Sequence, residues 1–270
     1  MIPYLQAQLA EIMTPEAKRA MVREYLQMRI LQSLQRAGAM IPLAFHGGTA
    51  LRLLYQLPRY SEDLDFALER HPRQYHFRRY LETIQRDLAA DTYTVEIKLS
   101  QHQVVHSAFI RFRRLLYQLN LTPHEAEILT VKVEIDTTPP AQATLETTLL
   151  RRHVDVQLQH HDQASLLAGK LHAILQREYI KGRDWYDLYW YLRQPAWPAP
   201  NIAMLNQALS QSGWEKGAVT PDNWPTYVQE RLQTLSWSRV VDDVQRFVIT
   251  QADLIEFKKA SLEKLLTYER

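Results

Sequence analysis

Three runs in which every second residue is apolar interrupt a chain otherwise patterned for helices. Tyr93, Val95, Ile97 and Leu99 alternate with Thr94, Glu96 and Lys98. Ile110 and Phe112 lie opposite Phe109, Arg111 and Arg113. Leu129, Val131, Val133 and Ile135 alternate with Thr130, Lys132, Glu134 and Asp136. A period of two sends neighbouring side chains to opposite faces, so half-buried strands are predicted over 93–99, 104–116 and 128–136. The helical stretches begin at Thr14-Pro15-Glu16, a cap, a first-turn proline and an acid, with Gly38 as the stop. Further helices are predicted over 72–90, 165–179 and 201–209, from about Asp184, and over 240–248 and 252–266. Thr137-Thr138-Pro139-Pro140 breaks the pattern, and the region to about Arg152 reads as a hinge. The expected architecture is α+β, with a mixed domain over 1–150 and a mostly helical one over 151–270.

Between the first helix and the alternating runs lies a denser segment. Leu43-Ala44-Phe45 suits a brief buried strand. Gly47 and Gly48 permit a backbone bend, and Thr49 is placed to cap a helix running to Leu57. A helix N-terminus offers free N–H groups and partial positive charge, which suit a nucleotide's phosphates. Asp63 and Asp65 then share one face of a strand while Leu64 and Phe66 turn to the core. Adjacent carboxylates repel unless a cation lies between them, and magnesium takes oxygen ligands from carboxylates and substrate phosphates. A lone Asp-x-Asp or Gly-Gly is more often surface or turn; the two joined by a short helix point to nucleotide and metal.

Composition narrows this. The 270 residues allow one large domain or two modest ones, and 46% hydrophobic content supports a real core. With 32 basic and 30 acidic residues the net charge is +2, so RNA contact must come from a local patch. Candidates for such a wall are Arg111, Arg113 and Arg114 on one segment and Arg78 and Arg79 on another. The absence of cysteine excludes disulfides, zinc–thiolate sites and thiol catalysis, and fits a cytoplasmic setting. No secretory signal or membrane-spanning run is evident. There is no P-loop, no Gly-x-Ser-x-Gly elbow, and no histidine pair on a helical segment with an adjacent acid.

The run Gly47-Gly48-Thr49-Ala50-Leu51-Arg52 with Arg59 and Ser61-Glu62-Asp63-Leu64-Asp65-Phe66 resembles the signature of DNA polymerase beta-like nucleotidyltransferases. Within them it is similar to the AbiEii/AbiGii group of nucleotidyltransferase toxins. That resemblance implies a small mixed sheet flanked by helices, followed by a helical domain. It also implies a second motif, Lys-x-acid, matched by Lys132-Val133-Glu134, which makes Glu134 the third metal ligand beside Asp63 and Asp65; Asp136, on the same face, is the competitor. A third motif pairs Lys170 with Arg177, and a fourth pairs Asp184 with Asp187. The implied catalytic set is Asp63, Asp65, Glu134, Lys170 and Asp187. Gly47, Gly48, Thr49, Lys170, Arg177 and Asp184 are expected at the nucleotide, and Asp184 and Asp187 either orient Lys170 or Arg183 or touch the nucleotide. Two Mg2+ ions, an NTP, an RNA acceptor of the tRNA type and an antitoxin partner are expected. His46 departs from the lysine that often precedes the glycines. Competing possibilities are nucleotide transfer to a small molecule such as an antibiotic, and a catalytically silent fold that only binds.

Overall fold

The computed structural model describes residues 2–12, 14–102 and 104–267. The chain forms two compact units, and neither is one continuous stretch. The first holds residues to Leu54, then Tyr60–Thr138 and Thr147–His160; the second holds Tyr55–Arg59, Pro139–Glu146 and the chain from His161. The sequence suggested one division after residue 150, whereas residue 150 falls inside a strand.

The first unit is built on a seven-stranded mixed sheet in the order β3-β4-β5-β2-β1-β7-β6. Its strands are β1 (Leu43–His46), β2 (Leu64–Leu68), β3 (Val95–Gln101), β4 (Val105–Phe112), β5 (Leu129–Asp136), β6 (Leu145–Arg151) and β7 (Asp155–His161). The pairs β3–β4, β4–β5 and β1–β2 are antiparallel, while β2–β5 and β1–β7 are parallel. Helices α1 (Ile2–Ala10), α2 (Pro15–Arg36), α3 (Gly47–Tyr55), α4 (Phe77–Ala90) and α5 (Leu115–Gln118) accompany it. Helix α2 starts as expected: Thr14 accepts the Ala17 N–H at 3.3 Å and Pro15 opens the first turn. It ends at a left-handed Gly38 (φ +80°). Its apolar stripe, Val22, Leu26, Ile30, Leu31 and Leu34, is buried, as are Leu43, Phe45, Phe66, Val131, Val133 and Ile135 on the strands. Each such side chain removed from water contributes about 1.5–3 kcal/mol.

The second unit is helical: α6 (Gln163–Gln176), α7 (Gly182–Leu192), α8 (Ile202–Gln211), α9 (Trp224–Gln233), α10 (Trp237–Val244), α11 (Gln251–Glu256) and α12 (Lys259–Thr267). Asp162 caps α6 by accepting from Ser165 N at 2.8 Å, and Asn201 caps α8 by accepting from Met204 N at 3.0 Å. Helix α7 packs on α6 and α10. At Gly182 a Cβ would collide with the Val240 carbonyl, so only glycine allows this approach.

Several expected elements change. The hinge expected up to Arg152 contains β6, and β7 follows it. The strand expected over 104–116 stops at Phe112 and gives way to α5 through Arg114, whose φ is +61°. The helix expected over 72–90 divides into a short 3-10 turn, Pro72–Gln74, and α4. The last predicted helix divides into α11 and α12 around Phe257, which is buried and contacts the rings of Tyr186, Tyr189 and Trp237. Among the described residues no helix is long and apolar enough to cross a membrane.

Candidate active site

In the first unit β1 ends at His46 and the chain turns through Gly47 into α3. Gly47 has φ +79°, a conformation that costs a residue with a Cβ about 1–2 kcal/mol. A Cβ there would also lie 2.5 Å from Asp65 Oδ2. The glycine therefore does more than bend the chain. It lets a carboxylate lie against the backbone where α3 begins and where helical N–H groups lack intrahelical partners. Gly47→Ala is expected to displace Asp65 and abolish any activity that depends on that carboxylate while lowering stability by about 1–2 kcal/mol. Paired activity and thermal-melting measurements check this, and full activity in the variant would contradict it.

Asp65 is tied into the sheet on both sides. It stands opposite His46 on β1 and beside Glu134 on β5. Leu64 and Phe66 are buried, so the pleat turns Asp65 and Glu134 to the same, half-exposed face. Asp136 is the register partner of Ala67, two residues further along β2. Its carboxylate accepts the Thr138 N–H at 2.9 Å. Burial pushes its carboxyl up, and nearby Glu69 and Glu134 add to the shift. Glu134, not Asp136, is thus the acid next to Asp65.

Asp63 lies just ahead of β2, in an irregular segment, rather than on the strand as expected. That segment is held by side chains from elsewhere in the unit. The buried Gln27 amide on α2 donates to the carbonyls of Ser61 (3.1 Å) and Glu62 (2.9 Å), and the Thr49 hydroxyl donates to the Asp63 carbonyl. Thr49 is fully buried in the first turn of a helix that already starts at Gly47. It neither caps α3 nor turns its hydroxyl to a ligand, because that hydroxyl is committed to the loop carrying Asp63. Gln27 was not singled out from the sequence; the available signal was an amide in the apolar stripe of α2.

Lys132 contacts Glu134 directly. Burial opposes the charge on Lys132, but Glu134, Asp63 and Asp65 outweigh it and hold the ammonium above its ordinary range. A positive charge thus already answers these acids. Hard carboxylate oxygens on this face fit a divalent cation by donor type. Among the described residues, however, no three acidic or histidine side chains are gathered closely enough to hold a metal by themselves. Asp65 and Glu134 are brought side by side by the sheet, whereas Asp63 comes from the preceding loop.

The second unit assembles the other expected residues into one ion network. Lys170 on α6 reaches Asp184 (2.9 Å) and Asp187 (2.7 Å) on α7. Arg177 meets Asp184 at 2.6 Å, and Arg59 donates twice to Asp187, both at 2.6 Å. Arg59 and Asp187 are 2% and 0% exposed, so this is a desolvated, bidentate pair. Arg177 is not on α6 as expected: it is the C-cap residue with ψ 126°, and that extended backbone swings its guanidinium towards Asp184. Arg183 is not the residue that the two aspartates orient; its guanidinium lies over the Phe247 ring, 4.2 Å from the centroid. Asp184 and Asp187 hold Lys170 instead. Arg59, noted in the sequence only as part of the first motif, is the residue this network adds.

Burial alone would raise the Asp184 carboxyl, but Lys170, Arg177 and Lys181 outweigh it and bring it down to about 2 from the ordinary 3.8. A depressed acid contributes stability above its unfolded value and loses it as pH falls through its folded one. The protein is therefore expected to lose about 2 kcal/mol between pH 4 and pH 2 through this group. Urea unfolding across that range should show the loss, and Asp184→Asn should flatten it.

Comparison with known proteins places the fold first. It is the α+β fold of nucleotidyltransferases: a candidate nucleotidyltransferase from H. pylori matches with TM-score 0.55 at 19% identity, over 92% of each chain. JHP933 from Helicobacter pylori matches with TM-score 0.53 at 18% identity, over 92% of this chain and 90% of that one. No curated protein sequence matches significantly. Residues 29–266 match the family described as nucleotidyl transferase AbiEii toxin, type IV toxin–antitoxin system, and the chain belongs to that family.

Proposed function

We propose that the protein is a magnesium-dependent nucleotidyltransferase, the toxin of a toxin–antitoxin pair, which transfers a nucleoside monophosphate from an NTP to an RNA acceptor of the tRNA type and acts in the cytoplasm. The observation carrying this is the Asp65–Glu134 pair, side by side on parallel strands, with Asp65 lying against the glycine that opens α3. An acceptor hydroxyl oxygen attacks the α-phosphorus, the bond from that phosphorus to the bridging oxygen breaks, and pyrophosphate leaves. The hydroxyl proton passes to a carboxylate oxygen of the pair and then to water. Asp65 and Glu134, with Asp63 from the adjoining loop and the phosphates of the nucleotide itself, would hold magnesium, which would neutralise charge on those phosphates. The backbone N–H groups of Gly48 and Thr49 lie in the first helical turn, which suits a triphosphate. In the second unit Lys170 is a phosphate ligand candidate. Two of its three N–H donors go to Asp184 and Asp187, which fix its direction. Asp184, Asp187 and Arg177 act through it as positioning residues.

The test is incubation of the protein with Mg2+, each labelled NTP in turn, and either total RNA or small-molecule acceptors. Label on RNA, absent without Mg2+, supports the proposal. Label on an antibiotic alone moves the acceptor to small molecules. No transfer under any nucleotide, with growth inhibition intact in Asp65→Asn, overturns it.

A further inference from the structure

Away from the carboxylates, the first unit carries a cavity of about 640 Å3 lined by Tyr75, His76, Phe77, Arg78, Arg79, Glu82 and His106. That volume falls inside the roughly 300–1,000 Å3 range of ligand clefts. Its composition is aromatic and basic. The rings of Tyr75, Phe77 and His106 lie nearly parallel, at interplanar angles of 18°, 24° and 22°. Their centroids are 6.2, 5.7 and 5.9 Å apart. Three rings in a column would put the outer two at twice the inner spacing. Nearly equal spacings describe a side-stepped cluster instead. Phe77 is buried beneath it, while Tyr75 and His106 are half-exposed. The Tyr75 hydroxyl and His106 Nδ1, 2.8 Å apart, lock the two exposed rings together. Such a surface is preorganised to take another flat ring.

The charge around it runs against helix chemistry. Arg78 and Arg79 are exposed in the first turn of α4, where the helix dipole favours acids, and that turn has none. His76, the N-cap residue, makes no side-chain capping bond. Among the described residues neither arginine has a carboxylate partner. The other arginines of the expected basic wall are engaged by acids: Arg111 and Arg113 share the single carboxylate of Glu96 at 3.0 and 2.5 Å, and Arg114 binds Glu125 at 2.8 Å. Two arginines at a helix N-terminus destabilise it unless an anion is present, and here they rim an aromatic cavity.

We infer that this cavity binds an unpaired nucleotide of the RNA acceptor, the base stacking on Tyr75 and His106 and the backbone phosphates meeting Arg78, Arg79 and the free N–H groups of α4. Single-strand binders combine these two elements, an aromatic platform and basic side chains along the backbone. Glu82, one turn beyond Arg78, offers an acceptor to a base amino group. The inference rests on the RNA-acceptor proposal but concerns residues outside the carboxylate site.

The test is fluorescence anisotropy of the full chain, without NTP, on a short labelled single-stranded RNA, on the same sequence as a duplex, and in competition with ATP. Wild type should prefer the single strand. Arg78→Ala/Arg79→Ala should reduce the magnitude of the salt slope by about 1.4, the value for two lost phosphate contacts on a single strand. Tyr75→Ala should weaken binding by roughly 5- to 150-fold, with Tyr75→Phe retaining it. Melting curves confirm that each variant is folded. Unchanged affinity and slope in the folded arginine variant, while wild type still labels RNA, would overturn this site alone. Wild type that neither binds nor labels RNA would remove the acceptor proposal as well. Displacement of the RNA by ATP, with the variants losing ATP too, would make the cavity a free-nucleotide site and overturn the RNA assignment.

Discussion

Asp187→Ala should cost about 3–5 kcal/mol of stability, out of a typical total of roughly 5–15. Asp187 is fully buried, and its two oxygens receive both Arg59 donors and the Lys170 ammonium. Burial works against the charge on Arg59 and on Lys170, and the neighbouring aspartates outweigh it for both. Removing one aspartate therefore leaves two desolvated cations short of their counter-charge, which is far worse than never burying the pair. Asp187→Asn keeps one acceptor oxygen but loses the charge and turns an amide NH2 towards cationic donors, so it should also be strongly destabilising. Urea unfolding measures the series; a loss under about 1 kcal/mol in the alanine variant would show that the network is not holding α6 and α7 together.

Asp65→Asn should have the opposite signature. Transfer is expected to fall by about 10²–10³-fold, the equivalent of several kcal/mol of lost charge stabilisation. Stability should not fall. Asp65 is half-exposed and stands next to Glu134 with Asp63 close in sequence, so neutralising it removes one of the like charges gathered there. A melting temperature equal to or above wild type, together with lost transfer, is the expected pair of results. Such a pattern marks a site kept for chemistry at the expense of stability. Wild-type transfer by a well-folded Asp65→Asn would remove the carboxylate pair from the mechanism.

What could be read from the sequence follows from the range over which each feature is determined. Helix α2 was legible because Thr14, Pro15 and Gly38 act on the backbone within a residue or two of where they stand. Strand β5 was legible because a sheet buried on one face imposes strict alternation, and its inward residues are all buried. The alternation of Val156, Leu158 and His160 in β7 was equally present but lay beyond a proline-rich break that suggested a hinge. Strand β6 lies at the sheet edge with most of its side chains exposed, so it carries no apolar period. The Arg59–Asp187 pair spans 128 residues, and no local spacing announces such a contact. Thr49 misled for a related reason. A threonine after two glycines looks like a cap, yet its hydroxyl is claimed by a carbonyl 14 residues away.

The interleaving of the chain bears on how the family can be cut and recombined. A fragment starting near residue 151 would omit Tyr55–Arg59 and Pro139–Glu146, which belong to the same compact unit as α6 and α7. It would carry Asp187 without Arg59, and so inherit a carboxylate whose bidentate donor stayed behind on the other piece. Grafting this helical region between homologues succeeds as a block only if the short insert between α3 and β2 travels with it. Neither segment carries the ion network by itself, although 128 residues of sequence separate Arg59 from Asp187.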